Sequence, residues 1–428
     1  MGALISDGND SELLRHPGTF VEQRTNTALY GLIFVIMVSV GRIQEVIPGL
    51  QALKLGKVAF GLLFILYFVS PKRNDIQVFS SSQMKYVLAL FLLGLVSTLF
   101  SVWPGESMHF MLFNFLYSVV LIFMLIKIAT TLADMKKIVW GIVISLVVLG
   151  VIALLSRSER VSSGGGSYDA NDLAFVMVLF LPLFYFSMKN ELGVRRLFLA
   201  FALIISLATI TATQSRGGFL GLLTVFFAIS LLERVNLGKM IAGGFIILLL
   251  IMVIAPAGFG ERMSSILKPN EDYNMSEEGG RITIWRRGIQ LMMANPLLGV
   301  GPSVYAVAEG ALHTDISTGL SGKWSAAHNS FIQVGAEFGI PGLVLFIMIL
   351  VKSIRSLRKL RRELPEDAEM RWLVNALEVG FYGYIVSGFF LSQAYSAAFF
   401  LLVGLTVAVI NMTEGVRTTS VRLNGDLS

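Results

Sequence analysis

The sequence predicts an all-α, polytopic integral membrane protein with about twelve transmembrane helices and one long external loop containing short helices. Three observations predict it. Hydrophobic residues make up 55% of the chain and charged residues 14%, where soluble domains average about 45–50% apolar. The apolar residues fall in long runs such as "FVMVLFLPLFYFSM" and "IAGGFIILLLIMVIAPAG", and a helix needs roughly 20 mostly apolar residues to cross a bilayer. The basic residues collect in alternate gaps between those runs.

In chain order the runs lie near 25–41, 51–70, 86–101, 108–130, 137–155, 171–188, 197–213, 217–232, 240–256, 328–351, 373–392 and 395–411. The first is short and Lys54 and Lys57 interrupt the second, so these two carry the weakest signal. With the gaps numbered from a cytoplasmic N-terminus, the even ones hold Lys72, Arg73 and Lys85, then Lys136 and Lys137, then Lys189, Arg195 and Arg196, then Arg234 and Lys239. The densest is "KSIRSLRKLRREL", from Lys352 to Leu364, whereas the short gap "SVWPGES" has no basic residue. Arg157 and Arg160 are exceptions, with Glu159 between them. Lys and Arg concentrate on the cytoplasmic side. The expected organisation is a cytoplasmic tail over 1–27, helices one to nine over 28–256, an external loop over 257–327, helices ten to twelve over 328–411 and a cytoplasmic tail over 412–428.

Composition also excludes. The net charge of +6 is spread over many short loops, so it reads as topology and contact with membrane lipids, with no nucleic acid partner. Cysteine is absent, and His16, His109, His313 and His328 lie on separate segments without ligand spacing, so no metal site is expected. No phosphate-cradling glycine loop of the Walker type occurs, and no cofactor is expected. "SSGGGSYDAND", Ser162 to Asp172, reads as a flexible external loop. Polar residues 1–27 precede the first run without a small-residue cleavage pattern, so no cleavable signal is expected.

The long gap has a helix signal of its own. "SEEGGRITIWRRGIQLMMANP" places acids before the start and stops at Asn295-Pro296. Ile282, Trp285, Ile289 and Met292 recur at helical spacing and predict its apolar face, with Arg281, Arg286 and Arg287 projecting elsewhere. The next run opens with "AHNSFIQVGAEFGIPG". On one helix, His328, Ile332, Gly335, Gly339 and Gly342 share a face, a stripe that invites a neighbouring helix to approach. Pro341 predicts a kink. Glu337 lies on the opposite face, roughly 13 Å deeper than His328, and reads as a buried structural carboxylate rather than its acid–base partner. His328 stands at the external rim, either as an interfacial side chain or as a base. "TATQSRGGFLG" puts Gln214, Ser215 and Arg216 in a tight external turn. Arg216 there either snorkels to head groups or grips a phosphate with its planar fork. Basic donors and a histidine on one face, with no carboxylate pair, suit an anionic lipid-linked substrate.

At these residues the chain resembles the bacterial O-antigen ligase and O-antigen polymerase family. His328, Asn329, nine residues and then Gly339 and Gly342 match the family's histidine signature, and "TQSRGG" is similar to its Ser-Arg-Gly turn. "RITIWRRGIQLMMANPLLGVGPSVY" looks like the arginine-tryptophan helix of the family's periplasmic loop, followed by its Pro-Leu-x-Gly-x-Gly turn. The resemblance implies a metal-independent glycosyltransferase of the bacterial inner (cytoplasmic) membrane, working on its periplasmic face. The donor is a glycan on undecaprenyl diphosphate. The acceptor is lipid A–core for a ligase and another lipid-linked glycan for a polymerase. The resemblance makes His328 the catalytic residue and Arg216 and Arg281 the diphosphate ligands, with Arg286 and Arg287 competing for the latter role. Gln214, Trp285 and Asn329 would support them. Asn329 would orient the histidine, touch sugar or start the helix. A secondary transporter is the reading from another class, but two six-span halves would put the longest gap near the middle, and here it follows the ninth run.

Overall fold

The computed structural model describes residues 27–42, 44, 55–70, 78–156, 168–256, 258–264, 280–312 and 324–425. These residues are helical, with no strand among them. The first part of the chain supplies α1 (Thr27–Ser39), α2 (Leu55–Val69), α3 (Ser82–Thr98), α4 (Pro104–Ile128, with a π-helical turn at Met111–Phe115), α5 (Leu132–Leu155) and α6 (Ala170–Asn190). It continues with α7 (Gly193–Ala212), α8 (Arg216–Leu232) and α9 (Leu237–Ile254). The long gap contributes α10 (Phe259–Ser264), α11 (Arg281–Ala294) and α12 (Tyr305–Leu312). The chain then forms α13 (Ser330–Glu363), α14 (Arg371–Gly388) and α15 (Ala397–Gly425). Among the described residues, seven helices (α4, α5, α6, α7, α9, α13 and α15) are long and apolar enough to cross a membrane, and α1, α2, α3 and α8 are shorter apolar helices. The protein is a polytopic membrane protein.

Side-chain caps fix where the helices start. Thr131 and Asp134 form a reciprocal capping box at α5, as Asp169 and Asp172 do at α6. Ser215 caps α8, Asn236 caps α9 and Asn329 caps α13. Each cap satisfies backbone donors that the first helical turn leaves unpaired. The "YDAND" end of the glycine-rich stretch, expected to be loop, is therefore the ordered start of α6. α6 is the centre of the bundle, with α5, α7, α8 and α14 against it, while α13 packs on α3, α11, α14 and α15.

The histidine motif departs from the expected single helix in two places. His328 stands before the helix, with a left-handed φ of 46°, so it does not share a face with Ile332 and Gly335. Further on, Gly339 (φ 72°, ψ −172°) breaks α13 into two pieces. Pro341 lies just past the break, in the first turn of the second piece, where its missing N–H is not needed. The glycine causes the break, and what approaches it is a loop.

That loop is 296–301, between α11 and α12. Val300 N–H donates to the Ala336 carbonyl (2.8 Å), Gly301 N–H to the Glu337 carbonyl (3.1 Å), and Ile340 N–H to the Pro296 carbonyl (2.8 Å). The loop thus pairs groups that the break would leave open. A Cβ at Gly299 would lie 2.3 Å from the Glu337 carbonyl carbon, and one at Gly339 would lie 2.6 Å from the Pro296 oxygen. Both glycines also have positive φ. Only residues without Cβ allow two backbones this close.

α11 covers the range predicted for it but turns a different face inward. Ile284, Gly288 and Leu291 are buried, whereas Ile282 (41%) and Ile289 (47%) are exposed. The reason is Gly288: a Cβ there would meet Ile332 and Tyr305. The helix seats along its smallest residue, which an apolar count passes over.

Candidate active site

The N-terminal ends of α6, α8, α11 and α13 meet around the segment 389–396 that joins α14 to α15. His328 N–H donates to Ser392 Oγ (2.8 Å). Ser330 Oγ donates to the Leu391 carbonyl (2.7 Å) and accepts from Gln393 N–H (2.9 Å). Gln393 Nε2 in turn donates to Asp172 Oδ1 on α6. Residues 328–330 are therefore tied to 391–393 by three hydrogen bonds, which explains how His328 sustains its left-handed backbone.

The other elements close on this point. Trp285 Nε1 donates to the Ala327 carbonyl (3.0 Å), fixing the peptide before His328. Its ring packs edge-on to Phe389 (5.4 Å) and near Phe390 (6.4 Å). Phe390 also lies against Gly217, whose added Cβ would come within 3.0 Å of the Phe390 Cβ. A contact chain thus runs from His328 through Ala327, Trp285 and Phe390 to the turn carrying Arg216. Gln214 has φ 52° and is buried, so it forms the turn itself. Gly218 lets α8 approach α6, since a Cβ there would stand 2.5 Å from the Ala174 Cβ.

The arginines divide by role. Arg287 pairs with the buried carboxylate of Glu309 (Nη1 to Oε1, 2.7 Å), and Glu309 also accepts from Ser325 N–H (3.3 Å). That pair pins the long segment shortly before His328. Arg286 is exposed on α11. Arg281 is the arginine that acts on His328 electrostatically. Burial pushes the His328 imidazole below the ordinary histidine pKa, Arg281 pushes it the same way, and Asp169 pulls weakly in the opposite direction. A neutral imidazole is the result favoured near neutral pH.

Arg216 and Arg281 each occupy the first position of a helix. Cations are disfavoured there, because helix N-termini carry positive partial charge. The starts of α8 and α11 thus each carry an arginine at a helix end that by itself favours an anion. Asn329 Oδ1 accepts from Phe331 N–H (2.9 Å) and Ile332 N–H (3.1 Å), so it caps α13. Its Nδ2 is buried and has no hydrogen-bond partner among the described residues. Glu337 lies at the helix break, where Oε1 accepts from Tyr305 N–H (3.1 Å) at the start of α12. It is buried and remote from the histidine, as the sequence predicts.

Sequence reasoning missed Asp169, Phe390, Ser392 and Gln393. The expectation of no carboxylate pair at this face does not hold, because Asp169 and Asp172 both reach it. A signal was present: "LSQAYS" interrupts two apolar runs as "TQSRGG" does. Among the described residues no group of His, Asp or Glu has the arrangement of a metal site. His16 and His313 lie outside the described residues.

Residues 201–347 match the family model of the O-Antigen ligase. That segment is similar to the O-antigen ligase family. Its span begins in α7, takes in the Arg216 turn, α11, the 296–301 loop and His328, and ends just past the break in α13. The chain is also similar to the exopolysaccharide production protein ExoQ of Rhizobium meliloti (strain 1021), with 34% identity over 100 residues, covering 22% of each chain. The O-antigen ligase segment thus supplies both arginines and the histidine, while the 389–396 strap that holds His328 lies beyond it.

Proposed function

We propose that this protein is a membrane glycosyltransferase that moves a glycan from undecaprenyl diphosphate to an acceptor hydroxyl at the periplasmic face, most simply as a ligase acting on lipid A–core. The observation that carries the reading is the placement of His328, on which Arg281 acts electrostatically, in the same cluster as the Arg216 helix start. Arg216 and Arg281 hold the donor diphosphate, and their helix ends add to its binding. The acceptor oxygen attacks the anomeric carbon as the bond from that carbon to the diphosphate oxygen breaks. The electron pair leaves with the diphosphate, where the arginines stabilise the growing charge. The acceptor proton passes to His328. A sugar diphosphate is already a fair leaving group, so no acid is required on that side, and the arrangement does not need a metal.

A second reading shares this chemistry and changes only the acceptor, joining one lipid-linked repeat to another. The likeness to an exopolysaccharide production protein favours it. Deleting the gene separates the two. Loss of long glycan from lipid A–core with accumulation of lipid-linked chains indicates the ligase, and glycan stalled at single repeats indicates the polymerase. If neither pattern appears and glycans are unchanged, the glycosyltransferase reading fails.

Sidedness is tested by single cysteines, since the chain has none. Ala326 and Arg362 are exposed. Ala326→Cys is expected to react with an impermeant thiol reagent in intact spheroplasts and Arg362→Cys only after lysis. The reverse pattern would move the site to the other membrane face.

A further inference from the structure

The end of α13 remote from His328 carries a second cationic feature. The piece of α13 after Gly339 runs to Glu363, about 36 Å at 1.5 Å per residue. This exceeds a hydrocarbon core of about 30 Å, so its last turns stand at head-group level. On the inner side, Glu378 of α14 is buried and accepts from Arg358 Nε (3.1 Å), Arg361 Nε (2.9 Å) and the Tyr382 hydroxyl. This knot fixes α13 to α14.

On the outer side, Arg355, Arg358, Lys359, Arg362 and Glu363 line an open groove of about 350 Å³. Of the four cations there, Lys359 pairs with Glu363 (3.8 Å) and Arg358 with Glu378, and Arg355/Lys359 and Arg358/Arg362 are like-charge pairs four residues apart, an arrangement that raises the energy of a helix. The helix C-terminus offsets this only in its last turn, and Arg355 lies beyond that reach. An anion in the groove would relieve the repulsion, and guanidinium forks suit a phosphate. The same helical stripe continues away from the groove as exposed Val344 (52%) and Ile347 (40%). A cationic groove leading onto an apolar stripe on one face is complementary to a head group with its acyl chain.

We propose that this groove is a discrete site for an anionic phospholipid, with Arg355, Lys359 and Arg362 holding the head-group phosphate and the Val344–Ile347 stripe holding an acyl chain. The site is independent of the reading of His328. The test uses purified protein in detergent, with native mass spectrometry and thermal unfolding as readouts and phosphatidylglycerol, phosphatidylcholine and inorganic phosphate as probes. Phosphatidylglycerol is expected to bind and raise the unfolding temperature, and the other two are not. Arg355→Gln/Lys359→Gln/Arg362→Gln, which leaves the nitrogens on Glu378 untouched, is expected to weaken phosphatidylglycerol binding about tenfold or more. Arg355→Gln alone is expected to weaken it several-fold, and this variant carries the test if the triple variant does not fold. Equal binding of phosphatidylglycerol by the variants, or of phosphatidylcholine by the wild type, overturns the site. Stabilisation by inorganic phosphate equal to that by phosphatidylglycerol overturns its assignment to a lipid.

Discussion

The two ends of α13 both gather arginines, and they do so under opposite electrostatic conditions. At the far end, Arg358 and Arg361 lie near the helix C-terminus and share the buried Glu378. Arg361 lies in the last helical turn, where its charge is favoured, and one carboxylate satisfies both arginines. At the near end, Arg216 and Arg281 stand at the first positions of α8 and α11, where a cation is disfavoured, and Arg281 also depresses the His328 pKa. A cation that stabilises its own surroundings needs no ligand to explain it. A cation at a helix N-terminus stands where an anion would be favoured. By this criterion Arg287 falls with the far end, since Glu309 neutralises it, although it sits on the same helix as Arg281.

Four measurements sharpen or break this contrast. The largest effect is expected for His328→Ala: single-turnover transfer with a purified lipid-linked donor should fall roughly 10²–10⁴-fold with donor binding retained. An unchanged chemical step would remove His328 from the reaction. Next, Arg216→Ala should lower kcat about 10²–10³-fold, with Arg216→Lys intermediate, because lysine keeps the charge and loses the fork. Arg355→Lys at the other end should leave kcat unaltered, and equal losses at both positions would erase the distinction between them. Third, Glu309→Ala removes the buried carboxylate that Arg287 and the Ser325 N–H share and should cost about 3–5 kcal/mol, seen as a lower unfolding temperature. The smallest effect is on pH dependence. The His328 pKa is lowered in the folded protein, so its neutral form should persist below the ordinary histidine range and activity should extend to correspondingly acidic pH. Arg281→Gln removes one lowering influence, so the acid limb of kcat/KM should move to higher pH. A limb that stays in place would show that Arg281 does not act on the titrating group.

The positions of the apolar runs were legible because lipid leaves few alternatives to helices in the bilayer. The expectations for His328 and Arg216 rested on each bordering an apolar run, and that for Arg281 on the helix signal inside the long gap. What the sequence did not yield was contact geometry. The sequence offered a helix start as one of several roles for Asn329, and its glycine pattern read as a helix-packing stripe where the structure has a break. Which face of α11 is buried depends on Gly288, whose fit is set by Ile332 and Tyr305 across the interface. Ser392 and Gln393 were passed over because a polar gap between two runs looks like an ordinary connection until its hydrogen bonds to 328–330 are known.

The splice between 296–301 and the break at Gly339 sets a limit on recombination among relatives. Three backbone hydrogen bonds join the two stretches, and Gly299 against Ala336–Glu337 and Gly339 against Pro296–Leu297 leave no room for a side chain on either. Unpaired backbone groups in hydrocarbon cost several kcal/mol each. A chimera that takes the external loop from one parent and the following membrane helix from another would separate two halves of one joint. Crossovers should therefore be viable before Arg281 or after Pro341 and fail between Pro296 and Gly339, so the smallest exchangeable unit in this protein straddles the membrane boundary instead of ending at it.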